Sequence, residues 1–218
     1  MLFCMKMKTI SILVIIILSG ADPIGAQTYA VTLRPSTLGL CLEGIRSISS
    51  TLDARLGMSY LSFSLHGGSD QEDYTMDGDF NLSSVSTLID WYPKLSPFHI
   101  TGGLVLNFND IKTLLTPSRS HEINGRVYTP GMLGNLSARV SFNKVAPYMG
   151  IGLGLVHPGT GFGYMFDIGA MYQGQPRVDL SATGLLEPST EQEPIIEKNI
   201  RWFSFYPVVS FGLMYVFH

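Results

Sequence analysis

Three groups of residues in this chain are of types that can do chemistry. His121 and Glu122 follow closely on Ser118 and Ser120. A serine hydroxyl beside an imidazole is what hydrolysis needs, because the ring takes the hydroxyl proton as the oxygen attacks. No nucleophile motif surrounds these residues, so they read as ordinary loop residues. A second group, Asp70, Glu72, Asp73, Asp77 and Asp79, offers hard oxygen ligands for a divalent cation. It lacks the ligand spacing of an ordered Ca²⁺ loop and reads as a solvated segment. The third group is Glu43, Asp53, Arg55, Asp90, Arg139 and Asp167. These are isolated charges of both signs, each inside an apolar, alternating stretch. His99 and Cys41 sit in similar stretches and read as fillers of an interior. No catalytic, cofactor or metal site is assigned.

Those stretches decide the elements. Apolar residues recur with a period of two almost throughout, the mark of half-buried strands. From Phe162 to Tyr172 the even positions are Phe, Tyr, Phe, Ile, Ala and Tyr. From Phe203 to Phe217 the odd positions are almost all large and apolar. The pattern predicts eight strands: 37–46, 51–66, 74–92, 98–108, 133–143, 146–156, 162–174 and 203–217. The polar or Pro-containing links Ser47–Ser50, Pro93–Pro97 and Asn143–Val145 read as turns. Alternation changes phase beyond Tyr60 and again near Ser83–Ser84, which predicts β-bulges. A short helix is expected within 175–202, where Glu193 precedes Pro194.

The less apolar face of these strands carries Gly, Ser, Thr and Asn with the isolated charges. A soluble sandwich would carry Lys and Glu there. Charged residues make up only 14% of the chain, against about 25% in ordinary soluble domains. Small residues and balanced charges suit the inside of a narrow barrel, and the greasy face then meets lipid. In hydrocarbon every backbone group must be paired within the protein, so strands can span only as a closed barrel. The expected fold is all-β, a transmembrane antiparallel up-and-down β-barrel of about eight strands, with ten as the alternative. Glu43, Arg55, Asp90, Arg139 and Asp167 are expected to form a structural charge network in its lumen. Trp91, Tyr92, Tyr148, Tyr164, Tyr172, Trp202 and Tyr206 are expected in interfacial girdles.

The N-terminus reads as export machinery. Lys6 and Lys8 precede the apolar run Ile10 to Leu18, and small residues lead to a cut at Ala26–Gln27. This predicts a secretory signal peptide over 1–26, with the barrel over 27–218. The mature chain would keep a single thiol, Cys41, and so no internal disulfide. A formal charge of −3 gives no reason to expect a nucleic-acid partner.

The chain resembles the small outer-membrane barrels of Gram-negative bacteria, the OmpX/OmpA-like group. Its ending, Phe211-Gly212-Leu213-Met214-Tyr215-Val216-Phe217, looks like the C-terminal signal read by the barrel-assembly machinery, carried here by Phe211, Gly212, Tyr215 and Phe217 and followed by His218. Asp90-Trp91-Tyr92-Pro93, Phe142 to Gly152 and Gln173-Gly174-Gln175-Pro176 are similar to blocks of an uncharacterised proteobacterial outer-membrane family. The resemblance implies an outer-membrane location, contact with lipid and lipopolysaccharide, and delivery by the assembly machinery. It implies no activity. The N-glycosylation patterns at Asn81 and Asn135 then read as chance. A non-enzymatic structural or surface-interaction role is expected, ahead of a small pore and then a lipid hydrolase. One conflict remains: eight strands from residue 37 put the long links 67–73 and 109–132 at one end and 175–202 at the other. Extra strands at 28–34 and 177–184 would remove it.

Overall fold

A computed structural model describes residues 28–68, 73–93, 96–123, 126–154 and 161–217, with backbone alone at His121, Ile123 and Thr190. The proposed signal peptide lies outside these residues. No helix among them is long and apolar enough to cross a membrane.

The chain forms a closed antiparallel ring of eight strands. In ring order these are β1 (Tyr29–Ser36), β2 (Gly39–Ser49), β3 (Leu52–Gly67), β4 (Tyr74–Trp91), β5 (Phe98–Asn107), β10 (Val145–Leu153), β11 (Gly161–Tyr172) and β13 (Phe205–Phe217), which returns to β1. The remaining strands extend the ring at one end: β6 (Asp110–Pro117) pairs with β4, β9 (Leu136–Ser141) with β6, and β12 (Arg177–Ala182) with β9. We call this extension the flange. A small hairpin, β7 (His121–Ile123) and β8 (Arg126–Tyr128), stands apart. The four-residue helix α1 (Pro130–Leu133) follows it, and α2 (Glu193–Asn199) lies between β12 and β13.

The flange strands are continuations of ring strands, not new ones. Asn107 faces Ser84 and Asp110 faces Asn81, so β5 and β6 run on β4 without gain or loss of a residue. Val145 faces Leu106 and Ser141 faces Asp110, so β9 and β10 likewise form one interrupted strand. Asn143–Val145 is therefore not a turn, and the two strands read as 133–143 and 146–156 are one. The first ring strand, 29–36, takes the eighth place. Strand number stays at eight, and the conflict in loop sides disappears. Tyr29, Phe217 and the strand ends that flank 50–51, 92–97 and 154–160 lie at one end; the strand ends that flank 37–38, 68–73, 118–135 and 183–204 lie at the other.

The outward face of the ring is a continuous apolar belt. Leu40, Leu42, Leu104, Leu106, Met149 and Ile151 are all exposed there. The stripe Phe205, Val209, Phe211, Leu213, Tyr215 and Phe217 also points outward, and Val208, Ser210, Met214 and Val216 point in. Along β5 the belt runs from Phe98 to Phe108, about 11 residues; at ~3.4 Å per residue and a tilt near 40° that is a band about 25 Å tall. The belt ends level around the wall. Outward residues turn polar at Ser62 above Tyr60, at Ser83 above Val85 and at Asp110 above Phe108. Tyr60, Ser83 and Phe108 are near neighbours across the ladder.

The two bulges expected in β3 and β4 are absent. Their register is unbroken from Leu52 opposite Trp91 to Gly67 opposite Met76. The phase change has another cause. Above the belt the outward face meets water and carries Ser62, Ser64 and Asp79, whereas the inward face carries Leu61, Phe63 and Phe80. The strand keeps its alternation while the solvent changes sides.

Candidate functional site: the filled lumen

Strand alternation sends the inward residues of all eight ring strands toward one axis. At mid-height these are Thr32 and Arg34 of β1, Glu43 of β2, Asp53 and Arg55 of β3, Asp90 of β4, His99 and Thr101 of β5, and Asp167 of β11. Each is at most 3% exposed. Arg55 is the hub. Its Nε lies 3.0 Å from Asp90, one terminal nitrogen lies 3.0 Å from Asp167 and 3.8 Å from Glu43, and the other donates to Thr101 Oγ1 at 3.3 Å. Arg34 pairs with both Glu43 and Asp167. His99 Nε2 lies 2.7 Å from Asp167, and the Thr101 hydroxyl donates to Asp90 at 2.7 Å. Burying charges is costly unless they are paired, and Arg34 and Arg55 pair with Glu43, Asp90 and Asp167, although the Arg34 Nε and the His99 Nδ1 make no hydrogen bond among the described residues.

Apolar layers bracket the charges. Ala30, Ile45, Met165, Met214 and Val216 pack together toward the termini. Leu38, Leu88, Val105, Ala146, Tyr148, Met171 and Val208 pack together toward the flange. A cavity of about 40 Å³ beside Arg34 and Arg55 is lined in part by Ser36, Ser59, Ser84, Ser86, Ser210 and Cys41. That is room for about two or three waters.

Glycines make the bulky interior fit. A Cβ on Gly152 would collide with the His99 ring and the Asp167 carboxylate, and one on Gly212 would collide with Arg34. A Cβ on Gly57 would come 2.6 Å from Glu43 Cγ. Gly150 and Gly169 leave space for the Tyr148 hydroxyl in the same way. An eight-stranded lumen is just wide enough for side chains to fill, and here large residues stand opposite residues without side chains.

Of the five residues expected in the network, Glu43, Arg55, Asp90 and Asp167 come together. Arg139 does not. It lies on the outward face of the flange, its side chain half-exposed, donating to Asp110 at 2.6 and 3.1 Å. This hydrogen bond, and the charge behind it, hold its pKa above the ordinary arginine value. Its alternation matched the lumen residues, but above the belt that face looks at water. Arg34 takes its place in the lumen. The stretch Thr32-Leu33-Arg34-Pro35-Ser36 alternates in phase with the lumen, and reading 29–36 as the first strand would have revealed it.

The other expected residues scatter. His66 is exposed on the flange, 3.7 Å from Asp77. His121 lies in β7, and Ser118 and Ser120 are exposed near it. Asp70, Glu72, His157 and His218 fall outside the described residues. No cluster of three potential metal ligands occurs among the described residues. Trp91, Tyr164, Tyr172 and Trp202 are exposed as girdle residues should be; Tyr92 and Tyr148 instead point into the lumen, and Tyr206 packs against the apolar layer on the flange side. Of the terminal signal residues, Phe211, Tyr215 and Phe217 lie in the belt and Gly212 faces Arg34.

Amide side chains staple the junction between ring and flange. Asn107 donates to Gln173 at 3.1 Å, and Gln173 donates to the Phe203 carbonyl at 2.9 Å. At the flange's far edge, Glu193 and Glu197 of α2 accept hydrogen bonds from the backbone N–H groups of Leu180 (2.7 Å) and Val178 (3.0 Å). They occupy donors that an edge strand would otherwise present for pairing.

No protein-family model matches the chain, and no curated protein matches it. Its shape has solved counterparts. It is similar to Acinetobacter baumannii CarO2, with 16% identity, a TM-score of 0.62, and coverage of 88% of this chain and 100% of that one. It is also similar to Acinetobacter baumannii CarO, with 19% identity, a TM-score of 0.57, and coverage of 86% and 97%. The likeness is one of fold. The chain is a transmembrane, antiparallel, up-and-down β-barrel of eight strands, with a flange at one end.

Proposed function

We propose that this protein is a closed, non-enzymatic barrel of the Gram-negative outer membrane, serving the envelope through its flange and exposed loops rather than through its lumen. The observation that carries this reading is the filled lumen: a charge layer hubbed on Arg55 between two apolar layers. The location is supported by the belt, by the first and last strand ends, Tyr29 and Phe217, lying at the end with shorter connections, as in bacterial outer-membrane barrels, and by the export signal expected over 1–26. The aromatic C-terminal strand supports delivery by the barrel-assembly machinery. Lipid and lipopolysaccharide are the proposed surroundings.

Conductance tests it. Purified protein in planar bilayers is expected to give no steady channels, and Arg55→Ala is expected to open none of defined size. Steady ion-selective conductance in the natural protein, altered by Arg55→Ala, would replace this reading with a small pore.

A further inference from the structure

Above the belt, the inward face of the flange is apolar yet open to solvent at its β3–β4 end. Leu61 is 37% exposed, Phe63 39%, Leu65 56% and Met76 49%. Phe63 and Phe80 stack there with ring centroids 4.8 Å apart. The helical connection between β12 and β13 covers the opposite end, where Val178 and Leu180 are buried. An exposed apolar strip backed by a polar outer face marks a binding surface.

The strip also reaches the hydrocarbon belt. Pairing of β2 with β3 ends at Leu40 opposite Tyr60, and beyond this point β3 pairs with β4 alone. The open edge starts at the β1–β2 turn. Gly39 sits there with φ +106°, and a Cβ on it would lie 2.7 Å from Leu61 Cβ. Gly39 is buried and packs directly on Tyr60 and Leu61, so the β1–β2 hairpin ends beside Leu61 and leaves Phe63 and Leu65 standing above the rim. On the lipid side of the turn stand Leu40, 57% exposed, and Tyr60, 60% exposed. Belt and strip are separated there only by the short β1–β2 turn.

We propose that the Leu61–Phe63–Leu65 strip holds a hydrocarbon chain of a membrane lipid, drawn over the β1–β2 turn from the leaflet at the flange end. Continuity with the belt selects lipid over a second copy of the chain. Symmetric antiparallel pairing of two β3 edges would invert one barrel, and one membrane cannot hold both orientations of the same belt and flange. The proposal rests on the belt lying in a bilayer, so the test carries its own control.

Nitroxide labels at Leu42→Cys in the belt, Phe63→Cys and Leu65→Cys on the strip, and Ser64→Cys on the outer face would be compared in phosphatidylcholine vesicles. Their accessibility to oxygen, which concentrates in hydrocarbon, and to an aqueous nickel chelate is read for each. Labels at 42, 63 and 65 are expected to favour oxygen, and the label at 64 to favour nickel by several-fold. If 63 and 65 favour nickel as 64 does, the strip faces water and the proposal fails while the membrane reading stands. If they are shielded from both probes, protein covers them and the proposal fails equally. If 42 itself favours nickel, the membrane reading fails first.

Discussion

Replacing Arg55 with methionine tests how the lumen is held. The side chain is 2% exposed and serves Asp90, Asp167 and Thr101 together, with Glu43 at 3.8 Å. Methionine keeps much of the volume, so the main loss is charge. In the natural protein two buried guanidiniums, Arg34 and Arg55, pair with three buried carboxylates, Glu43, Asp90 and Asp167. The variant leaves one guanidinium against the same three. Removing one partner of a buried ion pair costs about 3–5 kcal/mol, because the other charge stays behind unsolvated. With an m value of about 2 kcal/mol/M, the urea midpoint falls by roughly 1.5–2.5 M. Unfolding from lipid vesicles, followed by tryptophan fluorescence, measures it. Arg139→Met is the control: its pair with Asp110 sits in water, and its midpoint stays near that of the natural protein. Equal midpoints for Arg55→Met and the natural protein would refute the argument that paired charges hold the lumen.

Two further substitutions probe other parts. Gly152→Ala places a methyl group against His99 and Asp167. It is expected to destabilise the barrel by about 1–3 kcal/mol through overpacking, read as a lower urea midpoint. Glu193→Ala with Glu197→Ala removes both acceptors from the β12 edge. Amide exchange at Val178 and Leu180 is then expected to quicken by about tenfold, the effect of losing roughly 1.4 kcal/mol of local protection, which is in the range of such hydrogen bonds. Unchanged exchange at both amides would mean that the helical connection does not cap the edge.

The barrel was legible because hydrocarbon imposes one rule on every strand that crosses it. The Phe205–Phe217 stripe, the Met149–Leu153 alternation and the scarcity of charge all follow from lipid outside and a narrow lumen inside. The helix at Glu193 was legible from a proline at its first turn. Three features were not. The first strand entered only in the ten-strand alternative, as 28–34, because its outward residues, Val31, Leu33 and Pro35, form a short stripe beside the expected leader cut, and Arg34 was left out of the network with it. The flange was misread because Asn143 to Val145 has turn composition, although in the fold it interrupts a continuing strand. The charge balance in the lumen was hidden because it depends on cross-strand register, which alternation does not specify.

The apparent bulges in β3 and β4 expose the physics behind these misses. Alternation reports which side of a strand is greasy, and that equals inside or outside only while the solvent is fixed. At the level of Tyr60, Ser83 and Phe108 the outer solvent changes from lipid to water. A polar residue such as Arg139 then belongs outside, on the face that would hold leucine a few residues lower. A true bulge would slip the ladder by a residue, and the pairing from Leu52–Trp91 to Gly67–Met76 shows no slip. Phase reversal with intact register therefore marks a solvent boundary crossed by an uninterrupted strand. The same reversal leaves Leu61, Phe63 and Leu65 facing inward above a lumen already closed, apolar residues with too little of the protein's own mass to cover them. In a wall built to exclude water from one side and lipid from the other, such a strip is satisfied most directly by the hydrocarbon that begins beyond one hairpin turn.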